Sequence, residues 1–311
     1  VQPFRQWVDY ELGTMAVFAF FAISGFLVTY SFERQPTIQH WALARILRIF
    51  PGLLVVLLLT VFALGPMVTS LPLTDYLRDP ATWSYVPTNL SLAFHQSALP
   101  GVFEAAPRGP ELNGSLWTLY YEVLCYGLVL ALGLAGAFRS RRVLMVAAGL
   151  YLLANVAWVL LPVEWPETLW ALRWLSAPFA CGVAFHLARN WLPLTPWLLL
   201  VMAVAAYGAH GTQLYEPLFV LALSYAVFLL AYLPRGWVRR YNRLGDYSYG
   251  VYIYAWPVQQ TALHSFGRMS PVQNILISVP VALGLAWLSW NLVEKPALGL
   301  LPTRSGGGGG P

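Results

Sequence analysis

The sequence predicts an all-α fold, a polytopic bundle of transmembrane helices, on three observations. Of 311 residues, 58% are hydrophobic and 10% charged, with mean hydropathy +0.60, whereas soluble domains carry roughly a quarter charged residues. Charge-poor stretches long enough to cross a bilayer recur along the whole chain. The charges between them segregate by sign when the loops are assigned to alternate sides. Together these exclude a soluble enzyme, a disordered chain and a disulfide-rich secreted module. The two cysteines, Cys125 and Cys181, lie inside apolar runs. That placement predicts neither a disulfide framework nor a metal site.

A spanning helix needs about 20 mainly apolar residues at roughly 1.5 Å of rise each. The intervals that qualify are Leu12–Phe32, Ile49–Thr74, Ser115–Phe138 (interrupted by Glu122) and Val143–Val163. They continue with Thr168–Ala188 (containing Arg173), Asn190–Tyr215, Pro217–Pro234, Tyr247–Gly267 and Met269–Val293. The count is nine. One set of loops collects 13 basic residues, from Arg34 to Arg304, against Glu33, Asp246 and Glu294. The other collects Arg5, Arg78, Arg108 and Arg268 against nine acids. The positive-inside bias makes the first set cytoplasmic, placing the C-terminus inside and the N-terminus outside.

Trp83, Tyr85, Trp165, Trp170, Trp191 and Trp197 stand near span ends and suit an interfacial belt. The longest extramembrane stretch, 71–114, is outside and too long for a connector, so a lid or substrate-facing role is expected. No internal repeat marks the duplicated halves of a transporter. Residues 1–304 read as one integral-membrane domain, and 305–311 as a Gly-rich flexible tail. The chain opens on Val1. An external N-terminus without a signal implies either a removed signal peptide or a missing first helix, and composition does not choose between them.

Several segments could carry chemistry. Ser24-Gly25 makes a notch in an otherwise bulky helix, where a backbone or a ligand can approach. Arg45 and Arg48, three apart in WALARILRIFPG, share one helix face at the boundary. They either clamp phosphate oxygens or anchor the helix by the positive-inside rule. Glu122 lies two turns into its span, where a carboxylate costs up to about 2.5–3.5 kcal/mol at mid-bilayer. It needs a partner: a cation such as Arg173, a hydroxyl, or a reacting group. Tyr249, Tyr252 and Trp256 give an aromatic face for interior packing or sugar stacking. Asn89 and Asn113 begin glycosylation-type triplets, a short and weak pattern. The five histidines (His40, His95, His186, His210, His264) lack metal-ligand spacing and read as interfacial.

In order, FFAISGFLVT, ARILRIFPG, PGVFEAAPRGPELNGSLWTLYYEV, LGDYSYGVYIYAWPV and LVEKP resemble the membrane acyltransferase-3 family. These are the bacterial O-acetyltransferases of O-antigen, exopolysaccharide and related glycans. The resemblance spans nearly the whole chain. It implies a ten-helix inner-membrane enzyme moving an acyl group, commonly acetyl from acetyl-CoA, to a hydroxyl of a glycan. The implied partners are the bilayer and the glycan acceptor, with no nucleic acid and no metal. It further implies that Arg45 and Arg48 bind CoA phosphates, and that Glu122 and Trp117 belong to the core of the site. Ser24, Gly25, Tyr252 and Trp256 are expected around it. The family's first helix, with an Arg and a His taken as the catalytic base, has no counterpart here. Nine helices of ten are expected, and without a replacement base this chain alone is expected to be nearly inactive. The rival readings are a glycan or lipid transporter without covalent chemistry, and a degraded gene fragment.

Overall fold

A computed structural model describes residues 8–34, 37–104, 106, 109–161, 163–232 and 245–302. Every regular element among them is helical: α1 (Leu12–Arg34), α2 (Ile38–Leu59), α3 (Gly65–Val68), α4 (Leu73–Arg78), α5 (Pro80–Leu90) and α6 (Trp117–Leu134). These are followed by α7 (Arg141–Leu160), α8 (Glu167–Ala188), α9 (Pro196–Gly208), α10 (Tyr215–Tyr232), α11 (Ser248–Phe266), α12 (Pro271–Ser289) and α13 (Lys295–Leu298). A π-turn at Thr60–Leu64 joins α2 to α3, and another at Trp290–Glu294 joins α12 to α13.

Among the described residues, six helical stretches are long and apolar enough to cross a membrane: α1, α2 through α3, α6, α7, α10, and α12 through α13. They make this a multi-pass membrane protein. Helices α8, α9 and α11 occupy the other three predicted intervals but fall short by length or composition. Helix α9 has only 13 residues, set by Thr195 capping its start, Pro196 at the first helical position, and a stop at Gly208. Helix α8 carries Arg173, Ser176 and His186 on buried positions.

The second predicted span begins 11 residues late. Its helix starts at Ile38, where the Thr37 side chain accepts from His40 N. Arg45 and Arg48 therefore lie within the same continuous helix as the apolar run. Charges end a hydropathy window but not a helix, since backbone hydrogen bonding does not depend on them.

The chain divides into two compact units, residues 1–35 with 120–241 and residues 36–119 with 242–311. In the first unit α8 packs against α1, α7 and α10. Gly25 and Gly182 permit its crossing with α1. A Cβ on Gly25 would fall on the Phe179 carbonyl oxygen, and one on Gly182 on that of Ala22. The notch at Ser24-Gly25 is thus filled by a neighbouring backbone. Two buried clusters flank the crossing, one around Phe18, Cys181 and Phe219, the other around Ala22, Phe185 and Phe228.

In the second unit α11 packs against α12 and α2, and α2 packs against α5. The predicted outer stretch 71–114 is largely folded, with Tyr76, Tyr85, Leu99, Val102, Phe103 and Leu112 buried. Tyr76 donates to Val61 O at 2.8 Å, and burial pushes its phenol up to about 12. It therefore stays a donor throughout the physiological range. Tyr85, expected in an interfacial belt, is 1% exposed, whereas Trp83, Trp170, Trp191 and Trp197 are exposed. The Arg-rich loop with Arg235, Arg239, Arg240 and Arg243 and the tail 305–311 lie outside the described residues.

Candidate active site

Glu122 sits on α6, 2% exposed. The Ser24 hydroxyl, from α1, donates to its Oε1 at 3.2 Å. The Tyr126 phenol, one turn further along α6, also donates to Oε1. Ser24 Oγ and Tyr126 OH are themselves 3.1 Å apart, so the three oxygens close a triangle inside the first unit. The i, i+4 spacing places Glu122 and Tyr126 on one helix face, and the close α1–α8 crossing through Gly25 fixes the depth of Ser24. Tyr126 escaped the sequence reading because nothing but this spacing distinguishes it among the tyrosines of α6.

Arg173, considered as the partner of Glu122, forms its ion pair with Glu216 at 2.6 Å and reaches Asn155 at 3.3 Å. What Glu122 receives from Ser24 and Tyr126 is neutral hydroxyls. A carboxylate with hydroxyl neighbours can accept the proton of an alcohol brought against it, which is the service acyl transfer to an alcohol requires.

The two arginines of α2 differ in their surroundings. Arg48 donates to Glu294 at 2.9 Å and to Asp246 at 2.7 Å, and its guanidinium lies 5.6 Å from the ring centres of both Tyr249 and Trp290. Glu294 is fully buried, and the Asp246 side chain is 56% exposed. Arg45 is half-buried, with its guanidinium 5.6 Å from the Trp41 ring centre. Both arginines lie on α2, three residues apart, with different neighbours. Arg48 is already held by two carboxylates, which sequence spacing did not reveal because they lie about 200 and 250 residues away.

The segment NGSLW is built around α11. Pro257 has no N–H to give the carbonyl four residues before it. That carbonyl, Ile253 O, accepts instead from Asn113 Nδ2 at 2.8 Å. Asn113 Oδ1 receives the Ser115 hydroxyl at 2.6 Å, and Ser115 Oγ also reaches Tyr252 O at 3.1 Å. The Tyr252 phenol donates to Ser115 O at 2.5 Å and bonds the Thr118 hydroxyl. Trp256 donates to Glu111 O at 3.2 Å and covers Gly114, where a Cβ would come within 2.7 Å of its ring. Tyr249 is buried and donates to Ile49 O at 2.8 Å. All three members of the aromatic face are thus tied to the protein by their polar ends. Asn113 and Asn89 are buried and bonded internally, which removes both as glycosylation acceptors in the folded chain.

Ser24, Gly25 and Glu122 belong to the first unit; Arg45, Arg48, Trp117, Tyr252 and Trp256 belong to the second. Trp117, at the first position of α6, is 36% exposed. His186, read as interfacial, is fully buried: its Nε2 lies 2.8 Å from Glu33, with Arg189 beside it at 3.0 Å. No group of three or more metal-ligating side chains occurs among the described residues.

The family model of the acyltransferase-3 proteins, an acyltransferase domain, matches residues 2–291. The chain is 31% identical over 294 residues to an O-acetyl transferase of Shigella phage Sf6, covering 91% of this chain and 84% of the relative. It is 28% identical over 323 residues to Nodulation protein 10 of Rhizobium leguminosarum bv. viciae, covering 94% and 85%. No solved structure matches it.

Proposed function

Because this chain belongs to the acyltransferase-3 family, and is therefore an acyltransferase, we propose that it moves an acetyl group from acetyl-CoA to a hydroxyl of a cell-surface glycan such as O-antigen or exopolysaccharide. The O-acetyl transferase relative supports both the acetyl group and an oxygen acceptor. The reading places the protein in the cytoplasmic membrane with its C-terminus inside, on the sign segregation of its charges.

The observation that carries the chemistry is the buried Glu122 carboxylate with the Ser24 and Tyr126 hydroxyls on one oxygen. In the proposed step the acceptor hydroxyl gives its proton to Glu122 as its oxygen attacks the thioester carbonyl. The new C–O bond forms, the C–S bond breaks, and CoA leaves as its thiolate to be reprotonated. Tyr126 and Ser24 orient the carboxylate by occupying its oxygen until the acceptor arrives.

For the donor, Arg45 and Arg48 offer two guanidinium groups one turn apart on α2. Glu294 fits Arg48 for this work, since a buried carboxylate holds the guanidinium in place. Asp246 is exposed, and an exposed ion pair is weak enough for a phosphate to replace it. Arg45 and Arg48 are thus the proposed ligands of the CoA phosphates. Trp117, Tyr252 and Trp256 are proposed to shape the acceptor side, anchored by the NGSLW–α11 hydrogen bonds.

Glu122→Gln in the full-length gene product keeps the shape and the hydrogen bonds but removes the proton acceptor. Turnover is expected to fall by about 10²–10⁴ with the KM for acetyl-CoA unchanged. Undiminished turnover would take the proton-accepting role away from Glu122.

A further inference from the structure

The first unit contains an apolar slot with no part in the chemistry described above. Its volume is about 180 Å³, and its wall is almost entirely hydrocarbon. Three helices supply most of its wall with the same spacing, and Thr29 of α1 completes it. Helix α6 contributes Cys125, Leu128, Val129 and Leu132; α7 repeats the pattern from Leu144 to Tyr151, and α8 from Ser176 to Val183. A stripe at i, i+3, i+4 and i+7 on each helix makes the slot long and narrow, running along the helices for roughly 10 Å at about 1.5 Å per residue. Such a shape fits a segment of one extended alkyl chain. An apolar cavity of about 150 Å³ is already large enough to stay dry and take up a small hydrocarbon.

The two ends differ. One holds hydroxyls, where Tyr151 and Ser176 bond each other at 2.5 Å. The other is lined by Phe138, next in sequence to the exposed Arg139, and by Leu144 in the first turn of α7, whose neighbouring face carries the exposed Arg142. A second, shallow groove, open almost to a flat surface, runs along α7 from Arg142 past Val143 and Val146 to Leu150. Slot and groove share Ala147 as a common wall. Slot and groove thus run side by side along α7 from its first turn, which Arg139 precedes and Arg142 belongs to, both exposed, and the N–H groups of a helix's first turn favour anions.

We propose that this is a binding site for one anionic glycerophospholipid. One acyl tail places its headgroup-proximal carbons in the slot, the second lies along the groove, and the headgroup phosphate meets Arg139 and Arg142. Charge complementarity selects the anionic lipid, and the two tracks match its two chains. The site does not depend on the Glu122 chemistry, since it shares no residue with the oxygen triangle.

The test is retention of lipid by the purified full-length protein, read by native mass spectrometry after exchange into nanodiscs of dioleoyl phosphatidylglycerol or dioleoyl phosphatidylcholine. The wild type should retain one phosphatidylglycerol and prefer it over phosphatidylcholine about tenfold or more. Ala148→Phe fills the slot and should abolish retention of both lipids, with gel filtration confirming a folded protein. Arg139→Gln with Arg142→Gln changes only exposed side chains; it should keep phosphatidylcholine retention and lose the preference for phosphatidylglycerol. Equal retention of the two lipids by the wild type would overturn the proposal, as would retention unaffected by Ala148→Phe.

Discussion

Arg48 brings one positive charge to two carboxylates of opposite character, Glu294 fully buried and Asp246 mostly exposed. Removing the cation from a buried carboxylate is costly, so Arg48→Ala should destabilise the protein by about 3–5 kcal/mol, measured as a loss of unfolding free energy in mild detergent. Asp246→Asn should instead tighten CoA binding up to about fivefold, because it removes only an exposed competitor worth at most about 1 kcal/mol; isothermal titration with CoA reads this directly. Weaker CoA binding in Asp246→Asn would mean that the carboxylate serves the donor rather than competing with it. At this scale the sequence was informative where chemistry clashed with surroundings. Glu122 stood out as an acid in an apolar run, and Arg45 and Arg48 as a basic pair at the edge of another. Tyr126, Asp246 and Glu294 did not stand out, because their partnerships depend on helix facing and on separations of about 200 residues or more.

Helices are set by local rules, and most were legible. All nine predicted intervals contain a helix, and α1, α7 and α10 begin and end within a few residues of expectation. The start of α2 was missed because Arg45 and Arg48 interrupt hydropathy while Thr37 caps the backbone normally. The NGS triplet offered only a weak glycosylation-type pattern, because its purpose, satisfying the carbonyl left bare by Pro257, lies on a distant helix. The Ser24-Gly25 notch was read as open to either a backbone or a ligand, and the neighbouring backbone fills it. Helix crossing then gives a sharp contrast. Gly25→Ala drives a Cβ onto Phe179 O and should cost about 1–3 kcal/mol of stability through overpacking. Gly149→Ala, on α7 with nothing within 4 Å of the new Cβ, should be neutral or stabilising by up to about 1 kcal/mol. Thermal unfolding of the two variants side by side measures this. Equal effects would contradict close backbone contact as the reason for Gly25.

Across the whole molecule, composition decided the environment and charge placement the expected orientation, since both sum many weak local preferences. Six helices able to cross a membrane among the described residues and an acyltransferase-3 match over residues 2–291 agree with the membrane environment. The division of the candidate residues between two compact units was not legible, because it follows from which helices pack together rather than from any motif. The identity of donor and acceptor rests on chemistry that a membrane assay addresses at once. Membranes from cells carrying the gene, and from the same cells with the gene deleted, would be incubated with acetyl-CoA labelled in the acetyl group. The account predicts label in glycan, released as acetate by mild base, only when the gene is present. Glycan that crosses the membrane without acquiring label would contradict it and identify a transporter.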